Sequence, residues 1–234
     1  MALTLFELGG LDDRRYSLFS WRTRLALAHK GLAAEFKPVR VSDKAAIAFS
    51  KQDKVPILVD GDQVIHDSFR IAQHLEAHHG GDSLFGGETG AALTRFVNAW
   101  VDRALIPRLA PLVVIDVAGI VDEADALHLR RVMEKAFGKP LEELAANRDK
   151  DIASFRRLLD PARASLRSQP FLCGSRPAYA DYILFSPFQW ARIISPFEVL
   201  EAGDALAAWR ERMLDLFDGL AHTTPARREG ARAA

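Results

Sequence analysis

The sequence predicts an α/β N-terminal domain followed by an all-α C-terminal domain, and three observations carry that prediction. Over roughly the first eighty residues the apolar period switches repeatedly between the two-residue repeat of a strand and the 3.6-residue repeat of a helix. The segment HHGGDSLFGGETG then concentrates five glycines, a linker composition. Beyond it the strand signals cease and long helical patterns fill the chain. The expected division is residues 1–80 as first domain, 81–91 as linker, 92–221 as helical domain and 222–234 as a disordered tail, because TTPARREGARAA is small and basic without apolar periodicity.

LTLFEL (Leu3 to Leu8) reads as a short apolar strand. From Leu18 the apolar positions Leu18, Trp21, Leu25 and Ala28 recur at helical spacing until Lys30-Gly31 stops them. AEFKPVRV gives a second strand. A short helical stretch near Ala45 to Phe49 precedes PILVD, a two-residue turn at Gly61-Asp62 and QVI, which together form a hairpin. Ile71, Ala72 and Leu75 supply the buried face of the next helix. Strands joined by a crossover helix run parallel and a hairpin runs antiparallel, so one mixed sheet flanked by helices accommodates this order. In the second half, helices are expected at about 90–117, 120–138, 147–168, 178–195 and 203–219, with breaks at Gly138-Lys139-Pro140, Gln169-Pro170, Ser195-Pro196 and Gly203. Pro187 should bend or interrupt its helix.

Composition narrows the classes of function. The 234 residues are 49% apolar and 26% charged, ordinary for a soluble globular chain with a substantial core. Lysine plus arginine equals aspartate plus glutamate at 31 each, so no global field draws nucleic acid or an anionic membrane, and a small-molecule or protein partner is favoured. The single Cys173 excludes an internal disulfide framework, and no apolar run approaches the ~20 residues of a membrane span. MALTLFELGGLDDRR lacks a basic leader followed by a long apolar stretch, so the expected location is the cytoplasm.

The stretch KVPILVDGDQVIHDS, Lys54 to Ser68, holds the strongest chemical signal. Pro56 removes a donor at a strand edge, and a cis Val55-Pro56 bond would turn the Val55 backbone groups away from the sheet, although a proline that merely begins a strand also explains it. Asp67 or Ser68 caps the following helix. That helix start also offers free N–H groups to a ligand carboxylate beside the Ser68 hydroxyl, while Asp67 can meet an ammonium. A ligand with both charges at one end and a peptide backbone to lie along Val55 satisfies these demands, and glutathione is such a ligand.

Together with SLFSWRTRLALAHKGL and FLCGSRPAYAD, this stretch resembles the cytosolic glutathione transferase superfamily from Leu3 to about Leu220. The resemblance implies a thioredoxin-like N-terminal domain with a helical domain behind it. One departure is Ala178, where the family's signature has a capping Ser or Thr, a loss that typically costs ~1 kcal/mol. The family's catalytic position, just after the first strand, falls on Ser17, with Ser20 as the alternative and Tyr16 more remote. A serine there stabilises a bound glutathione thiolate by a hydrogen bond, with Arg22 as a possible helper or simply a structural charge. Lys54 and Gln52 would bind the glycyl carboxylate, or be solvated loop residues. Phe19, Val113 and Trp190 would line the second-substrate pocket, and Cys173 would pack.

The SLFSWRTRLAL run and the IHDS element look similar to the zeta, fungal and bacterial β-etherase-like branches, which implies a glutathione transferase acting on a hydrophobic electrophile by conjugation or by glutathione-dependent ether cleavage, isomerisation or dehalogenation, in detoxification or aromatic degradation, and working as a homodimer. The alternative is a non-catalytic glutathione-binding or regulatory protein of the same fold. No metal is expected: His74, His78 and His79 read as a helix end whose imidazoles complement the dipole.

Overall fold

In the computed structural model, which describes residues 3–227, strand β1 (Leu3–Leu8) turns Leu3, Leu5 and Glu7 into the interior. A glutamate at such a position needs partners. Arg24 of helix α1 (Leu18–His29) donates to both of its carboxylate oxygens, at 2.7 and 2.5 Å, and Arg15 donates at 3.1 Å. This charge-assisted fork pins α1 to the sheet. Burial of α1 extends well beyond the expected apolar stripe, from Leu18 through Leu27 with Phe19 excepted, because its other side packs on the helical domain. That is why both Arg22 and Arg24 are enclosed.

Strand β2 (Ala34–Val39) pairs parallel with β1, as the intervening crossover helix requires. Strands β3 (Ile57–Asp60) and β4 (Gln63–His66) form the expected hairpin, with β3 antiparallel to β1, giving the order β2-β1-β3-β4. The stretch at 45–50 is a 3-10 turn, and helix α2 (Ser68–His78) packs beside α1.

In the second domain the expected helix at 90–117 resolves into α3 (Glu88–Trp100), a widened π turn (Val101–Leu105), α4 (Ile106–Val113) and a 3-10 turn (Val114–Gly119). The π turn lies just before Pro107, whose ring is incompatible with an ordinary preceding turn. Helix α5 (Glu123–Phe137) follows, then α6 (Leu141–Ala146), which is too short to register as a period. The expected helix at 147–168 is two, α7 (Arg148–Leu158) and α8 (Asp160–Leu166), since Pro161 has no N–H to continue the ladder of α7.

Helix α9 (Tyr179–Ile194) is buried at every residue but Arg192 and runs through Pro187 without interruption, against expectation. Ser186 Oγ donates to the Ile183 carbonyl at 2.9 Å, the acceptor that Pro187 cannot reach. The missing cap at Ala178 is also made good. Tyr179 N–H donates to the Leu84 carbonyl at 2.9 Å, and the Asp181 carboxylate accepts from the Ala178 and Leu172 amides and the Trp209 indole.

Helix α10 (Ala205–Gly219) loses helical dihedrals at Leu216 to Asp218. The first residues of the expected tail make hydrogen bonds to the rest of the chain. Arg192 donates to the Thr224 carbonyl at 2.9 Å, Arg14 donates to that of Pro225 at 2.9 Å, and Arg227 N–H returns to the Arg192 carbonyl at 2.9 Å. The rest of the expected tail, 228–234, lies outside the described residues. Side chains of both domains join one hydrophobic cluster. No helix among the described residues is long and apolar enough to cross a membrane.

Candidate functional site

The site is built where the β3–β4 hairpin delivers the chain to α2. Asp67 is the N-cap and stands at φ 72°, a left-handed value that costs a non-glycine residue strain. Its Oδ1 accepts from both Phe69 N–H and Arg70 N–H at 3.0 Å, which leaves Oδ2 for a ligand cation. Ser68 begins the helix. Its hydroxyl has no protein partner among the described residues, while its carbonyl accepts the Tyr179 hydroxyl at 2.6 Å. Burial is the main cause that raises the Tyr179 phenol well above its usual range, so it stays a donor.

Across from this corner, the Val55-Pro56 peptide is cis and β3 begins only at Ile57. No hydrogen bond among the described residues engages the Val55 N–H or carbonyl. The six residues expected to bind glutathione, Gln52, Lys54, Val55, Pro56, Asp67 and Ser68, line one cleft of about 390 Å³, and Phe19 and His66 complete it. A second cavity of about 350 Å³ adjoins the same Asp67 and is bordered by Arg70, Arg95 and Asn98.

Phe19 brings the first turn of α1 to this cleft. Ser17 is the N-cap of α1 and its Oγ accepts from Ser20 N–H at 3.3 Å. Ser20 is more deeply enclosed, and its own Oγ is buried without a partner. Tyr16 is likewise buried with an unpartnered hydroxyl, its phenol raised first by burial and then by Asp125. None of the three lines the cleft directly.

The other residues singled out in the sequence lie outside this cleft. Arg22 is placed as a structural charge: it donates to Ser186 Oγ at 2.9 Å, Asn98 Oδ1 at 3.0 Å and Asp102 Oδ1 at 2.7 Å, so it bridges α1 to the helical domain. Val113 and Trp190 are buried in the core of the second domain and do not border the cleft, because their helix faces pack inward. Cys173 is exposed in the loop before α9. Although the residue as a whole is exposed, desolvation of its sulfur, then the Asp181 carboxylate, pushes its thiol up to about 12 and disfavours the thiolate. His66, Tyr179 and Ser186 escaped the sequence reading, the last two because their partners lie over a hundred residues away.

Two family models match the chain, "Glutathione S-transferase, N-terminal domain" over residues 11–83 and "Glutathione S-transferase, C-terminal domain" over residues 92–220. A glutathione S-transferase-like protein, ustS, of Aspergillus flavus is 29% identical over 140 residues, 53% of this chain and 49% of that protein. Glutathione S-transferase Z1 of Arabidopsis thaliana is 47% identical over 60 residues, 24% of this chain and 27% of that one. The matches thus span half or less of these curated relatives. Among solved structures, a glutathione S-transferase of Ceriporiopsis subvermispora in complex with glutathione is similar, with a TM-score of 0.78 at 19% identity, covering 96% of this chain and 99% of that one.

Proposed function

Because the chain belongs to the cytosolic glutathione transferase superfamily, we propose that it is a serine-type glutathione transferase that delivers a glutathione thiolate to a hydrophobic electrophile. The observation that carries the reading is the single cleft uniting the unpaired Val55 backbone with the Asp67-Ser68 helix start. The glutathione ammonium meets Asp67 Oδ2, and the γ-glutamyl carboxylate meets the Ser68 hydroxyl and the Ser68 N–H, the amide at the start of α2 that Asp67 does not take. The cysteinyl backbone pairs with Val55, and Lys54 and Gln52 face the glycyl carboxylate.

Ser17 then donates a hydrogen bond through its hydroxyl to the sulfur and keeps its own proton, while the thiol proton passes to solvent. A free thiol of pKa ~8.5 is only about 3% ionised at pH 7. A hydrogen bond to the charged form contributes roughly 1.5–3 kcal/mol, or about one to two pKa units, enough to ionise about a quarter to three-quarters of it. The thiolate attacks the electrophilic carbon, a C–S bond forms and the leaving group departs with its electron pair. Phe19 offers the electrophile an apolar contact.

The working unit is a homodimer in the cytoplasm. Exposed Leu93 and Phe96 on α3 give a second copy an apolar surface, and Phe96→Glu should shift the species seen by light scattering towards monomer.

The test is a panel of aromatic electrophiles and aryl ethers incubated with glutathione and scored by product mass. Glutathione-bearing products that decline with Ser17→Ala support the reading, and equal activity of wild type and Ser17→Ala overturns the serine assignment. Glutathione binding without turnover of any substrate favours the non-catalytic binding protein instead.

A further inference from the structure

The corner where α2 ends holds three groups that the glutathione cleft does not use. His74 lies in the last turns of α2, and His79 follows its end with extended backbone, φ −122° and ψ 137°. Both rings reach Asp60, the last residue of β3. His74 Nε2 and His79 Nε2 each lie 2.8 Å from Asp60 Oδ2, and the three donor atoms are within 4.8 Å of one another. His74 is buried, and Asp60 and His79 are half-buried. The His78 ring stacks on His74 with centroids 4.4 Å apart and is tied by its Nδ1 to the His74 carbonyl at 3.0 Å, which fixes the ring it covers. Helical spacing alone assigns these histidines to the helix dipole; Asp60, supplied by the hairpin, is the group that spacing does not reveal.

We propose that Asp60, His74 and His79 form a binding site for one divalent transition-metal ion of the Zn2+, Co2+ or Ni2+ kind, outside the glutathione cleft. Two imidazole nitrogens and one carboxylate oxygen are donors that such ions prefer, whereas Mg2+ and Ca2+ seek oxygen alone. Zinc–ligand bonds of ~2.0–2.2 Å place tetrahedral donor atoms about 3.3 Å apart, so the two 2.8 Å pairs must open by about half an ångström, a small rotation of two rings. Without metal, each Nε2 carries the proton it donates to Asp60. On binding, each neutral ring moves that proton to Nδ1 and offers the Nε2 lone pair. Asp60 and His79 reach the surface, so water completes the tetrahedron. The bound ion ties the end of β3 to the end of α2.

The untagged full chain, stripped with chelator and desalted, is titrated with Co2+ while its visible d–d absorption is followed, and with Zn2+ by calorimetry. One equivalent of Co2+ with a tetrahedral-type spectrum, displaced by Zn2+, is expected. Asp60→Asn keeps an oxygen to accept from both rings but no carboxylate, and His79→Gln removes one nitrogen. Each should weaken binding at least about a hundredfold, the upper end of what loss of a mere outer-shell neighbour costs. His78→Ala and Cys173→Ser should retain it, with circular dichroism and retention on immobilised glutathione confirming the fold of every variant. Absence of a cobalt spectrum in the wild type, a spectrum that survives both Asp60→Asn and His79→Gln, or one that disappears with Cys173→Ser, overturns the proposal. None of these readouts depends on transferase activity.

Discussion

Ser17 accepts the Ser20 amide through an oxygen lone pair, which leaves its hydroxyl proton uncommitted, and in the proposed mechanism that proton is the donor to the glutathione thiolate. Removing that donor raises the thiol pKa of bound glutathione, so the deficit is largest below both values and vanishes above them. For Ser17→Ala we expect kcat/KM to fall roughly ten- to thirtyfold near pH 7 and to recover above about pH 9, as one to two pKa units require. Ser20→Ala should leave that pH profile in place. The Tyr179 hydroxyl acts one step away, holding the Ser68 carbonyl at the start of α2. Tyr179→Phe should raise KM for glutathione with little change in kcat and cost about 1 kcal/mol in urea unfolding. Asp67 and Ser68 were legible in the sequence because a cap acts on amides two or three residues away. Tyr179 was not, because only the packed fold sets it beside Ser68.

Whole helices show the same division. The starts and ends of α1, α2 and α9 follow from glycine, proline and apolar spacing, which are local signals. The continuity of α9 is not a local signal, since the rule that proline breaks helices is overridden by its neighbour. Ser186 Oγ donates to the Ile183 carbonyl and accepts from Arg22, so Ser186→Ala orphans two buried groups and should cost about 2–4 kcal/mol. Adding Pro187→Ala restores an N–H for Ile183 and should return roughly half of that loss, read from urea midpoints. At the start of α10, Asp204 caps Leu206 N–H at 2.9 Å and receives a forked bond from Arg163. Burial alone would raise its pKa, but Arg163 and the cap outweigh burial and hold it below the usual 3.8. Its contribution is therefore complete above 3.8 and is lost as pH falls through the lower folded value. Asp204→Ala should cost about 1 kcal/mol or more at pH 7, and that difference should shrink in urea titrations carried to more acid pH.

Between the two domains, contacts rather than the linker set the geometry. Leu11 N–H reaches the Ile120 carbonyl at 2.7 Å, Ser42 N–H reaches Asp125 at 3.0 Å, and α1 lies along α9. Arg22 stands at the centre of this seam, its guanidinium divided among α3, the π turn and α9, and 4.8 Å over the Phe19 ring that lines the cleft. From sequence it reads as a charge one turn into an amphipathic helix, able to assist a thiolate, because nothing local reveals that a second domain covers that face. Arg22→Met keeps the length of the side chain and removes its donors. Asp102 retains Asn98 as a partner at 2.9 Å and is 30% exposed, so it can be solvated and the loss should sit at the low end for a broken buried pair, about 3 kcal/mol. Since one core spans both domains, unfolding should remain a single transition at a lower urea midpoint. The thiol pKa of bound glutathione, read from the pH dependence of thiolate absorbance, should not move. A pKa that rises by a unit without a loss of stability would return Arg22 to the catalytic centre.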